Sequence, residues 1–246
     1  MSGLAGWRLR IHDSLPSTQS LALELAEQGE PGGLAILAHR QMQGRGRAGR
    51  AWQSQPGNLA LSVLLRPAGS AREIAVHALL AAVAVHEAAA HHAPTRALRL
   101  KWPNDLMEDG AKIAGILAEA SLDPGGGIAH LVLGFGVNLA HAPAVEGRAV
   151  ACLGPVPVED FCATLLGRLA HWQEVHVRQG FAPIRAAWEE RGPVRGTVLT
   201  LRQGDNPVSG RYEGLAEDGG LRLSTVNGPQ VFHAGEVIGD GHASRD

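Results

Sequence analysis

Cysteine is almost missing from this 246-residue chain: Cys152 and Cys162 are the only two. Two thiols cannot make the disulfide framework of a small secreted domain, and no histidine pair stands at metal-ligand spacing from them. They read as reduced, partly buried thiols of a reducing cytosol. An excess of either charge is missing as well. A formal net charge of −2 argues against the strongly basic face that broad, nonspecific nucleic-acid binding needs. Residues 1–10 lack the apolar core of a secretory signal. The longest apolar run, residues 78–85, is broken by His86 and Glu87, far short of the roughly 20 residues a membrane span requires. These absences lead to the expectation of a cytoplasmic protein that does not enter a membrane. Aromatic residues amount to 4%, beside abundant alanine and glycine, a bias that says little about function.

What remains is an ordinary globular composition, 45% apolar and 19% charged, in a chain long enough for one large domain or a medium domain plus a small one. Apolar runs predict strands at residues 7–11, 34–38, 59–65, 98–102, 112–120 and 131–137, the last two joined by the turn Asp123-Pro124-Gly125-Gly126-Gly127. Ser17, Thr18 or Ser20 can cap a helix that Gly29 ends. Helices are also predicted at 71–92, 158–179 and 182–190, while 140–157 reads as irregular. The character changes at Gly192-Pro193. Short β-type runs follow at 194–201, 208–215, 221–225 and 230–234, with turns at 204–207, 218–220 and 227–229, a spacing that suggests a small barrel. The expected architecture is therefore α+β: a mixed β-sheet backed by helices over residues 1–192, then a small C-terminal β-barrel over 193–246.

Three segments carry chemistry. Gly44-Arg45-Gly46-Arg47-Ala48-Gly49-Arg50, closely followed by Trp52, sits in a long polar loop spanning 41–57. Glycines let backbone N–H groups approach an anion while guanidinium forks neutralise it. Read alone, such a loop is a ligand site, a solvated basic loop or an RNA-binding segment. Lys101-Trp102-Pro103-Asn104-Asp105 places polar residues just past a strand end, where they either face a ligand crevice or form an ordinary turn. Lys112 leads the apolar stretch Ile113-Ala114-Gly115-Ile116-Leu117, either as a solvated strand end or as a fixed cation at a cleft. Gly115, and Gly134 with Gly136 around Phe135, would let something lie against their strands. The twelve histidines form no ligand-like cluster and read as mostly surface residues.

Taken in order, Ser17-Thr18-Gln19, Gln41 with the 44–50 loop and Trp52, Lys101 to Asp105, Lys112 to Leu117, and Gly134 to Asn138 resemble the motif set of the biotin protein ligase family over nearly the whole chain. The resemblance implies a class II aminoacyl-tRNA synthetase-like catalytic domain. It also implies ATP-dependent activation of biotin to biotinyl-5'-AMP and transfer to a lysine of a biotin carboxyl carrier protein. A lipoate or octanoate ligase or transferase of the same superfamily is the alternative. By the same resemblance, Ser17, Thr18, Gln19 and Gln41 would hold the ureido ring. Gly44, Arg45, Gly46, Arg47 and Gly115 would line the biotin tail, and Lys112 would contact its carboxylate and the forming phosphate ester. Lys112, Arg47 and Arg45 would be the catalytic cations. Arg50, Trp52, Asn104, Lys112 and Asn138 would serve ATP, and Asp105 would hold Mg²⁺. The 41–57 loop would be mobile and close over the adenylate. Phe135 would narrow the pocket. The family allows a homodimer. With motifs beginning by Ser17, no N-terminal DNA-binding domain, and so no DNA binding, is expected.

Overall fold

The computed structural model of the chain describes residues 6–204 and 206–240. Strand β1 (Arg8–His12) leads to helix α1 (Thr18–Glu27), which Ser17 caps by accepting from the Ser20 amide. Then come β2 (Leu34–Ala38), the short β3 (Gly44–Arg45) and β4 (Ala51–Trp52), β5 (Leu59–Leu65) and the long helix α2 (Glu73–His92). Strands β6 (Leu98–Lys101), β7 (Asp105–Glu108), β8 (Ala111–Leu122) and β9 (Ile128–Val137) follow, then helices α3 (Val158–Gln179) and α4 (Ala182–Arg191).

Seven strands form one mixed sheet in the order β1-β2-β5-β9-β8-β7-β6. Only β1 and β2 run parallel; every other pair is antiparallel. The two faces bury different helices. Ala22 and Ala26 of α1 pack on Leu34, Ile36, Leu64 and Val132. Strand residues of the opposite parity, among them Leu61, Leu133 and Phe135, share the main core with α2 and α3. Helix α2 is long and apolar enough to cross a bilayer by length and composition, with mean hydropathy 1.4, yet 61% of that window is buried inside this fold. Its apolar surface is spent on the sheet and on its helical neighbours.

The structure departs from sequence expectation in several places. Asp105 opens an unpredicted strand, because Lys101 pairs with it across a tight turn to make the β6–β7 hairpin. The 41–57 loop carries a short hairpin not anticipated from sequence: Gly44 pairs with Trp52 and Arg45 with Ala51, enclosing a 3₁₀ turn at Arg47–Gly49. Two histidines are not surface residues, since His77 and His130 are buried. Finally, the C-terminal strands β10 (Val198–Gln203), β11 (Asn206–Leu215), β12 (Leu221–Thr225), β13 (Gly228–Phe232) and β14 (Glu236–Asp240) form an antiparallel sheet ordered β13-β12-β11-β10-β14. Its edges, β13 and β14, do not pair with each other, so the sheet stays open and is not the closed barrel expected. Turn spacing announces hairpins; it cannot say whether the outer strands meet. The predicted turn at 204–207 includes Asp205, which lies outside the described residues. The C-terminal sheet shares the main core through Leu199, Leu201 and Tyr212, and Trp102 Nε1 donates to Gly219 O at 3.2 Å.

Candidate functional site

A cavity of about 380 Å³ opens on the α1 side of the sheet. Side chains from many separate stretches of the chain reach it, and they divide into a polar end and a cationic end.

The polar end is built at the start of α1. Because Ser17 caps the helix, Thr18 and Gln19 fall in its buried first turn. Thr18 donates from both its backbone nitrogen (2.8 Å) and its hydroxyl (3.1 Å) towards Gln41 Oε1. The Thr18 hydroxyl also lies 2.9 Å from Ser62 Oγ, and Ser62 donates to Gln19 Oε1 at 3.0 Å. Gln19 Nε2 donates onward to Glu119 Oε2 at 3.0 Å. Gly134 makes this network possible: a Cβ there would stand 2.5 Å from Gln19 Oε1.

The cationic end comes from the hairpin and from β8. Lys112 sits at a bulge, where β8 loses register with β7 between Leu106 and Met107. Its backbone bonds instead to residues 149 and 151, accepting from Ala151 N at 3.0 Å and donating to Ala149 O at 2.9 Å. Bulges re-aim side chains, and here the ammonium reaches 2.6 Å from Asp105 Oδ1. That oxygen has no aligned hydrogen-bond partner, so the pair is an ion contact rather than a directed bond. Arg47 Nη1 donates to Asn104 Oδ1 at 3.0 Å, while Asn104 Nδ2 donates to Ile116 O. Burial, more than any neighbour, holds the Arg47 pKa below the usual guanidinium value. Arg45 turns to Glu119 (2.8 Å), and Arg50 to Glu236 (3.2 Å), which also receives Arg148 at 2.6 Å. Of these arginines, only Arg47 has no carboxylate within ion-pair distance among the described residues.

Between the two ends lies the Trp52 ring. A Cβ on Gly136 would sit 2.2 Å from Trp52 Cε2, and one on Gly115 would sit 3.3 Å from Cζ3 and 2.9 Å from Lys112 Nζ. The Lys112 ammonium is 5.6 Å from the Trp52 ring centroid. Trp52 Nε1 and Asn138 Oδ1 are buried and unpaired in the same cavity. A buried polar atom without a partner costs about 1–3 kcal/mol, and both of these are placed to pair with polar atoms of a ligand in the cavity. The site offers little for a metal. Asp105 is in contact with Lys112, and Glu236, on the same cavity wall, is held by Arg50 and Arg148; no group of three His, Cys, Asp or Glu suited to an ion occurs among the described residues.

The structure brings almost all the sequence-nominated residues to this one cavity: Ser17, Thr18, Gln19, Gln41, Arg45, Gly46, Arg47, Arg50, Trp52, Asn104, Asp105, Lys112, Gly115 and Asn138 all line it. Gly44 does not. It supports the hairpin from behind, where a Cβ would meet Trp52 O at 2.4 Å. Phe135 also lines the cavity, but it is buried in the main core, between Gly134 and Gly136, which face the site.

The sequence matches the biotin/lipoate A/B protein ligase family over residues 12–138, and the biotin protein ligase C-terminal domain over residues 194–238. A biotin–[acetyl-CoA-carboxylase] ligase of Paracoccus denitrificans is 38% identical over 233 residues, covering 90% of this chain and 96% of its own. The chain belongs to the biotin/lipoate A/B protein ligase family. A bifunctional ligase/repressor of Bacillus subtilis is 30% identical, covering 94% of this chain and 74% of its own. Among solved structures, the biotin protein ligase of Aquifex aeolicus in complex with biotin and ATP superposes with a TM-score of 0.79 at 27% identity, covering 94% of this chain and 97% of that one. Four further residues of this family member were not singled out as site residues by sequence. Ser62 was visible as the lone hydroxyl in the apolar strand LALSVLL. Glu119, Arg148 and Glu236 gave no signal, because nothing local distinguishes them from solvated charges.

Proposed function

We propose that this chain is an ATP-dependent biotin protein ligase. It activates biotin as biotinyl-5'-AMP and passes it to a lysine of a biotin carboxyl carrier protein. The observation that carries this reading is one cavity with a neutral hydrogen-bonding end and a cationic end, spaced by glycine-floored strands and one indole. A ureido ring needs neutral donors and acceptors together, which Thr18, Gln41, Ser62 and Gln19 supply. An aliphatic tail needs apolar walls, which Trp52 and the Gly115 and Gly136 backbone supply. A carboxylate meeting a triphosphate needs fixed positive charge, which Lys112 and Arg47 supply, with Arg50 and Arg148 further out.

The chemistry follows from that layout. A carboxylate oxygen of biotin attacks the α-phosphorus in line, the bond to the β-phosphate oxygen breaks, and pyrophosphate leaves. Lys112 and Arg47 stabilise the negative charge that builds on the phosphoryl oxygens, and being fixed in advance they do so without reorganisation. The 44–52 hairpin keeps water from the mixed anhydride. The carrier lysine amine then attacks the carbonyl carbon, the bond to the phosphate oxygen breaks, the nitrogen loses a proton, and AMP departs. Asp105, on the cavity wall beside Lys112, would be the protein ligand for the Mg²⁺ that accompanies ATP, an ion that takes most of its ligands from phosphate and water. We assign residues 1–192 to the catalytic domain and 193–246 to the small C-terminal domain, and place the protein in the cytoplasm.

Thermal melting with biotin, lipoate or octanoate, each with Mg-ATP, tests the substrate class. A ligand at a hundred times its Kd adds about 2.7 kcal/mol, or roughly 5–11 °C for a chain of this size. Biotin is expected to give the largest shift. A larger shift with lipoate or octanoate, which lack the ureido ring, would transfer the assignment to that branch of the family.

A further inference from the structure

Arg45 was expected to face the substrate carboxylate, but its guanidinium is already committed. It donates to Glu119 Oε1 at 2.8 Å, while the other oxygen, Glu119 Oε2, accepts from Gln19 Nε2 at 3.0 Å. Both oxygens of one carboxylate on β8 are thus spent on two parts of the site that come from distant stretches of chain. The hairpin that carries Arg45 is a thin partition. Arg45, Gly46, Arg47, Arg50 and Ala51 line the main cavity on one side and a second cavity of about 640 Å³ on the other. With open volume on both sides, packing alone does not fix the partition. Its side-chain anchors near the tip are Arg45 to Glu119 on one flank, and Arg47 to Asn104 and Arg50 to Glu236 on the other.

We infer that Glu119 is a positioning residue for biotin: its one carboxylate sets Gln19 at the ring end and, with Arg45 as a strut, sets the hairpin over the tail. The inference rests on the biotin reading above and divides the labour between the arginines. Arg45 holds the wall, and Arg47, which faces a neutral amide, keeps its charge for the substrate.

The test is a cycle of Glu119→Gln, Arg45→Gln and both together, with Arg45→Lys as the conservative variant. A strut that is partly exposed gives a modest loss, so each glutamine variant should raise the biotin KM roughly fivefold, with kcat and the ATP KM little changed. The double variant should be no worse than either single one, because the two act as one interaction. Arg45→Lys, which can still pair with Glu119, should stay near the parent. In protein without substrate, Glu119→Gln should speed amide hydrogen exchange across residues 44–52 while the overall melting temperature stays within a few degrees. That exchange measurement stands even if the parent proves not to attach biotin, in which case the function reading alone fails. A hundredfold loss in Arg45→Gln beside a silent Glu119→Gln would assign Arg45 to the substrate and overturn the inference. Unchanged exchange in Glu119→Gln, or additive losses in the double variant, would overturn it as well.

Discussion

Replacing Lys112 by methionine should separate the two things this lysine does. Its side chain is 20% exposed and that of Asp105 16%, and the ammonium lies 2.6 Å from the carboxylate. Methionine keeps the stem beside Trp52 and deletes only the charge. Removing one member of a fully buried pair costs about 3–5 kcal/mol, and partial exposure brings this down to roughly 1–3 kcal/mol. At about 2–4 °C per kcal/mol the melting temperature should drop by roughly 2–12 °C. The catalytic loss should be larger. One fixed stabiliser of developing charge is worth about 10²–10³ in rate, or roughly 2.7–4 kcal/mol. Biotin-dependent pyrophosphate release should fall by that factor, well below the melting point of the variant. Adding Asp105→Asn to Lys112→Met removes the stranded carboxylate. Stability should return, and pyrophosphate release should not. If release recovers in the double variant, Lys112 serves only to neutralise Asp105, and the electrostatic reasoning for the whole cationic end fails.

Gly134→Ala places a Cβ 2.5 Å from Gln19 Oε1; calorimetry should show biotin binding weakened about tenfold, equivalent to roughly 1.4 kcal/mol, with ATP binding unchanged. Equal weakening of both ligands would show general damage to the sheet. Arg47→Gly removes the cation that Asn104 orients; biotinyl-AMP should then escape and label bystander lysines, seen as biotin on an unrelated protein in the same tube, and labelling confined to the carrier would remove Arg47 from adenylate retention. Burial, with His176 nearby, pushes His77 down to about 4 from its ordinary 6.5. The unfolded chain therefore binds the extra proton, so this contribution is intact above pH 6.5 and lost as pH falls towards 4, a difference on the order of 3 kcal/mol. His77→Leu should flatten the acid limb of a stability–pH curve over that window, and superimposable curves would refute the assignment.

Periodicity and turn chemistry made most of the fold legible. The predicted helices at 158–179 and 182–190 match α3 and α4 almost residue for residue, since Pro157, Gly180 and Gly192 punctuate them. Strand β7 was missed because Asp105 to Glu108 offers only two apolar residues, Leu106 and Met107; its pairing with β6 and β8 makes it a strand. The open C-terminal sheet was missed for a different reason. Hairpins are local, whereas closure depends on whether β13 and β14 approach one another, which no short stretch of sequence encodes.

The site divides along the same line. Residues were legible where chemistry is written into adjacent letters: the arginine-glycine hairpin, the Lys101 to Asp105 junction, and Lys112 ahead of a glycine. Their partners were not, because a partner is defined by approach in space. Arg45 reads as a catalytic cation in the sequence, and in the structure it donates to Glu119, 74 positions later. Arg50 reads as an ATP contact, and its companion in the structure is Glu236, 186 positions away on β14. In each case the sequence displays the cation and hides the carboxylate that restrains it. A cluster of arginines in a glycine-rich loop therefore indicates where positive charge is concentrated, but the charge free to meet a substrate is known only once each internal counterion has been placed. For this chain that subtraction leaves Arg47 without a carboxylate partner among the described residues and Lys112 shared with a carboxylate at the cavity wall. Those two are where the loss of charge should cost rate and not merely affinity.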